Sequence, residues 1–160
     1  MIHFLAALPI AILSAVYGPA NATEPQSLEL RQLTDAANSI GVTVNFVDNR
    51  SGECKSPLLL GVYVFSQRSV HLCEANAQSD AGFLKTYRHE LWHAAQHVCR
   101  SMAATLTDDQ IRAALPHADR QTLRQAYPEH QFRAEAEARV VAQLPTTDYL
   151  RGFNKVCSHV

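Results

Sequence analysis

The sequence predicts an α+β fold: one helix, a small and largely antiparallel sheet, a long helix and then further helices. Three observations predict it. Leu30, Leu33, Ala37 and Ile40 recur at helical spacing near the start. Residues 42–73 then hold three short β-branched or apolar runs separated by turn residues. Beyond Ser79 the apolar spacing is helical almost to the end, punctuated by Pro116, Pro128 and Pro145.

Residues 1–22 read as a signal peptide rather than as part of the fold. Met1 to Tyr17 contains no Asp, Glu, Lys or Arg, and Ala20-Asn21-Ala22 has the small-x-small form of a cleavage site. The apolar run is too short for a membrane span, and Pro9 interrupts it. Residues 23–160 are then expected to form one domain, secreted or periplasmic, with no membrane association once the signal is removed.

Ser27 is expected to cap the first helix, which Gly41 ends. Val42 to Val47 reads as a strand and residues 48–52 as a turn. Leu58 to Phe65 and Ser69 to Cys73 are two further strands joined by Ser66-Gln67-Arg68. Ser79 or Asp80 caps a helix from about Ala81 to Met102. Thr107-Asp108-Asp109-Gln110 has the form of a capping box and opens a short helix ending near Pro116. Helices over Asp119–Tyr127, Glu129–Leu144 and, with Thr147 as cap, to Val156 complete the chain.

Cys54, Cys73, Cys99 and Cys157 behind a signal peptide suggest two disulfides in an oxidising compartment. Four cysteines allow three pairings. Cys54–Cys73 and Cys99–Cys157 are preferred, the first because it brackets a β segment. Zinc ligation by cysteine lacks the close spacing it requires. The net charge of −1 gives no reason to expect nucleic acid or an anionic membrane as partner.

Within the long helix stands His89-Glu90-Leu91-Trp92-His93. Positions i and i+4 lie about 40° apart on a helix, so both imidazoles can reach one metal ion. Glu90 is placed to take a proton from a metal-bound water, the arrangement of zinc hydrolases. With 8 His and 8 Glu in 160 residues, about 0.02 such matches arise by chance. The plain alternative is an amphipathic helix with two surface histidines.

Two histidines leave a tetrahedral zinc one protein ligand short. Cys99 lies about 240° around the helix from His93 and faces away. His97 shares a face with His93, but His89 to His97 spans about 12 Å along the axis, too far for one ion. It reads as a neighbouring or surface residue. A carboxylate from the later helix remains, either Glu135 or Glu137, about 200° apart, so only one faces the ion. The alanines around them allow that helix to approach closely.

The His89-Glu90-x-x-His93 motif followed by Glu135-x-Glu137-Ala138 resembles the HExxH zincin metallopeptidases with a downstream glutamate ligand, the gluzincin-like enzymes, and the E-x-E-A helix of CAAX prenyl proteases. The resemblance spans roughly residues 60–145. It implies that Glu135 is the third ligand, that Ala138 is the small residue beneath it, and that Zn²⁺ is the cofactor. It also implies a peptide or protein substrate paired along an edge strand, for which Ser69–Cys73 is the candidate by position. Two departures stand out. His93 and Glu135 are separated by 41 residues, so the intervening helices form an insertion over the site. Arg139 stands where many relatives carry an acid that supports a histidine ligand. The expected function is peptide-bond hydrolysis with Glu90 as general base, and Tyr127, His130, Tyr149 and His117 are candidate oxyanion donors. The alternative is a secreted binding protein of the same fold without catalysis. Cell-wall peptide cross-links are a further substrate class, although no wall-anchoring module accompanies the domain.

Overall fold

The computed structural model describes residues 24–48 and 51–160, so the signal-peptide expectation lies outside the described residues. The elements are α1 (Glu24–Ser39), β1 (Thr43–Val47), β2 (Gly61–Val64), β3 (Ser69–Cys73), α2 (Asp80–Arg100), α3 (Asp108–Ala114), α4 (His117–Ala126), α5 (Glu129–Val141) and α6 (Thr146–Val156). The α+β class is as expected.

The sheet is mixed rather than largely antiparallel. Its order is β1-β3-β2, with β3 antiparallel to β2 and parallel to β1. The β2–β3 hairpin is local: a 3₁₀ turn at Phe65–Gln67 and Arg68 in the left-handed region (φ 47°) reverse the chain. β1 instead pairs with the far side of β3, so β3 is central and β2 forms an outer edge. Ser69–Cys73 therefore has no free edge for a substrate, correcting that expectation. β2 is also shorter than Leu58–Phe65. Residues 58–60 belong to a loop held by the Asn76 amide, which donates to the carbonyls of Cys54, Ser56 and Leu59.

α1 starts at Glu24, ahead of Ser27, with Pro25 suited to a first turn. α2 is capped by Ser79, whose Oγ accepts from Gly82 N at 3.2 Å. It ends where Ser101 (φ 49°) and Met102 (φ 70°) turn left-handed, a backbone conformation that costs a non-glycine residue on the order of 1 kcal/mol. The Thr107–Gln110 capping box forms as expected. α6 begins at Thr146, directly after Pro145, so Thr147 lies inside the helix rather than at its cap.

One core cluster joins α1, the sheet, α2 and α6 around Leu33, Leu72, Tyr87, Leu91, Tyr149 and Phe153. A smaller one, Ile111, Leu115, Leu123 and Ala136, packs α3 and α4 on α5. Arg88 ties α2 to the end of α5, donating through Nε to Ala142 O at 3.0 Å and through Nη1 to Thr146 Oγ1 at 3.1 Å. Both disulfides form in the preferred pairing, Cys54–Cys73 and Cys99–Cys157. They suit an oxidising, extracellular or periplasmic setting. Among the described residues no helix is long and apolar enough to cross a membrane.

Candidate metal centre

α2 and α5 run antiparallel, since Arg88 meets Ala142 and, two turns on, Gln96 meets Ala134, and the candidate ligands face one another across them. The Nε2 atoms of His89 and His93 are 3.2 Å apart. Glu135 Oε1 lies 3.3 Å from His93 Nε2, and Glu135 Oε2 lies 3.5 Å from His89 Nε2. Bonds of about 2.0–2.1 Å to a tetrahedral ion place ligand atoms about 3.3 Å apart, so this triangle matches one face of such a site. Glu135 Oε2 is buried and has no hydrogen-bond partner. A buried carboxylate oxygen left bare is costly unless a cation completes it. His89, His93 and Glu135 can therefore hold a metal ion together. Two imidazoles and a carboxylate suit several first-row ions, zinc and ferrous iron among them.

The electrostatics are those of a closely coupled cluster. Burial raises the Glu135 pKa, but the adjacent His89 and His93 imidazoles outweigh it and bring it down to about 2. Burial likewise depresses His93, and the Glu135 carboxylate more than offsets this, for a net rise.

The orientation of His93 is fixed from behind by a residue that the sequence reading passed over. Gln96 is three residues on and buried (1 % exposed). Its Nε2 donates to Ala134 O at 3.1 Å and to Glu137 Oε2 at 2.9 Å, both acceptors only. Gln96 Oε1 must therefore face His93 Nδ1, 2.9 Å away, and Nδ1 must carry the proton. That leaves the Nε2 lone pair aimed at His89 and Glu135, the tautomer a metal requires. A buried polar residue at i+3 from a ligand histidine was the available signal.

Glu137 lies outside this cluster. It faces the opposite side of α5, fully buried, and serves as an acceptor hub. Besides Gln96 it receives Thr105 N at 2.6 Å, Leu106 N at 2.8 Å and the Thr105 hydroxyl. His97 lies outside the cluster too: its Nδ1 pairs with Tyr63 OH at 2.9 Å, and Phe65 packs on its ring. Cys99 is taken by its disulfide.

Glu90 lies beside the ligands against β2. Its Oε2 accepts from Tyr63 N at 2.9 Å. Burial pushes its pKa up, opposed by His89, His93 and the Tyr63 N–H. The strand reaches Glu90 because residue 61 is glycine. A Cβ there would sit 2.8 Å from Thr86 Cγ2 and 3.2 Å from Glu90 Cγ.

The cluster opens into a two-lobed cleft, with Gly61, His89 and Glu90 at the junction. One lobe, about 600 Å³, runs past His93 and Glu135 to Phe65, Met102 and Tyr127. The other, about 420 Å³, runs beneath Leu58 and Leu60 to Lys85 and Arg139. Leu115 and Asp119, from the segment between α2 and α5, wall this second lobe. Among the oxyanion candidates, Tyr127 and His130 line the first lobe. Tyr149 is fully buried against Trp92, and His117 lines neither lobe.

No family model, curated protein or solved structure matches the chain.

Proposed function

We propose that this chain is a secreted zinc-dependent peptidase in which His89, His93 and Glu135 hold the metal and Glu90 is the general base. The placement of Glu90 carries the proposal. It lies half-buried beside three convergent candidate ligand atoms, at the junction of the cleft, with one oxygen engaged by the Tyr63 N–H. Zinc there would supply Lewis acidity, bringing a water's pKa toward about 7 and polarising a carbonyl. Glu90, made more basic by burial, accepts the proton of the attacking water through its other oxygen and returns it to the leaving amine. Tyr127 is held protonated by burial and the nearby Glu135 charge, and it donates a hydrogen bond to the developing oxyanion.

A peptide substrate is favoured by the open edge of β2. Leu60 O accepts from Cys73 N at 2.9 Å, and antiparallel alternation makes Val62 and His71 the next hydrogen-bonded pair. The main-chain groups of Gly61 and Tyr63 therefore face outward, and among the described residues only the Tyr63 N–H is engaged, by Glu90. An extended peptide can add along this edge. Exposed Leu58, Leu60, Phe65 and Met102 rim the same cleft.

The test pairs metal analysis with Glu90→Gln. Wild type is expected to contain zinc and to cleave unfolded casein in a chelator-reversible way. Glu90→Gln should keep the zinc and lose at least about a hundredfold in turnover. Cleavage undiminished in Glu90→Gln, or a metal-loaded wild type that cuts nothing, would overturn the proposal, the second result favouring a binding protein.

A further inference from the structure

The two lobes differ in charge, and the helices explain why. On α2, Lys85 is one turn before His89, and on α5, Arg139 is one turn after Glu135. Because the helices are antiparallel, these two cations leave the metal centre in the same direction and enter the same lobe. Elsewhere Arg112, Arg124, Arg133 and Arg151 each pair with a carboxylate at 3.1–3.5 Å. Lys85 and Arg139 form no ion pair among the described residues. The acids that line this lobe are Glu90, at the junction with the metal centre, and Asp119, so away from Glu90 two cations face one anion. The other lobe is walled instead by Val62, Phe65, Met102 and Tyr127.

From this asymmetry we infer that the substrate carries a carboxylate on the Lys85–Arg139 side of the scissile bond. The inference rests on the peptidase proposal for the catalytic step, but its binding half stands apart from it. Four helical residues rise about 6 Å, the span of about two extended residues, so the carboxylate belongs within one or two residues of the bond. An acidic side chain and a free chain terminus present the same group. Arg offers it a planar fork of donors and Lys a mobile point charge. Both cations are exposed, so the preference should weaken as salt is raised.

The experiment uses matched fluorescent peptides differing only by Asp or Glu against Asn or Gln at each position flanking the bond, and by terminal acid against amide. Binding is measured on the zinc-loaded Glu90→Gln protein and cleavage on the wild type. The carboxylate peptide is expected to bind, and to be cut, about tenfold better than its neutral partner, a difference of about 1.4 kcal/mol. The side-chain and terminal arms identify which source is used. In the double variant Lys85→Gln/Arg139→Gln the preference should collapse toward unity, and in Lys85→Glu/Arg139→Glu it should turn toward lysine-bearing peptides. Equal handling of charged and neutral peptides, or a preference unchanged in the double variant, would overturn the inference. Preferential binding without cleavage by wild type would overturn the peptidase proposal and leave the anion site standing.

Discussion

Two regions of the molecule bring histidine to glutamate, and they are built differently. On the outer face of the sheet, His71 Nδ1 lies 3.2 Å from Glu53 Oε2, and its Nε2 lies 3.0 Å from Ser69 Oγ and 3.2 Å from Asn45 Nδ2. By residue type this is the Ser-His-acid chain of nucleophilic catalysis. Yet Ser69 is only 3 % exposed, both ring nitrogens are satisfied, and neither lobe of the cleft touches it. Between α2 and α5 the reverse holds: two Nε2 atoms and a carboxylate converge, one carboxylate oxygen has no partner, and a cleft leads in. A polar cluster that completes itself stabilises a fold. One that remains incomplete in a cavity is prepared for something else.

This contrast can be broken by substitution, beginning with the ligands. Glu135→Ala should reduce zinc from about one per chain to near none, read by elemental analysis. With it should go the ligand-linked stabilisation, about 4 kcal/mol in wild type at a thousandfold excess over Kd. Gln96→Leu removes the acceptor that sets the His93 tautomer, and metal competition should show affinity about 10–100-fold weaker. Gly61→Ala forces β2 away from Glu90 and should lower kcat/KM about tenfold while zinc content stays constant. Ser69→Ala sharpens the contrast from the other side: zinc and cleavage should be unchanged, with stability down by about 1 kcal/mol. Cleavage lost in Ser69→Ala would move the chemistry to the sheet.

The site was more legible in the sequence than the sheet. Two ligand histidines and Glu90 come from one helix, where spacing alone dictates which side chains share a face. Both helix caps near them, at Ser79 and Thr107, are written in adjacent residues. Spacing could say only that Glu135 and Glu137 oppose each other. Which one turns to the histidines depends on the rotation of α5, fixed by the Gln96, Thr105 and Leu106 donors that hold Glu137 on the far side. Partner choice in the sheet is likewise long-range. The β2–β3 hairpin follows from its turn, whereas nothing local says that β1 will dock on the far side of β3. That one pairing moved the open edge from Ser69–Cys73 to Gly61–Val64.

The Cys99–Cys157 bridge has a consequence for how the ligands find one another. It closes a segment of 58 residues that contains Glu135, with His89 and His93 just outside it. For a closed segment of that size, the lost freedom of the unfolded chain is worth about 4 kcal/mol. The oxidised chain therefore searches for its metal geometry within a much smaller volume. Part of what brings the three candidate ligands together is thus written into the unfolded ensemble, before any side chain has found its rotamer.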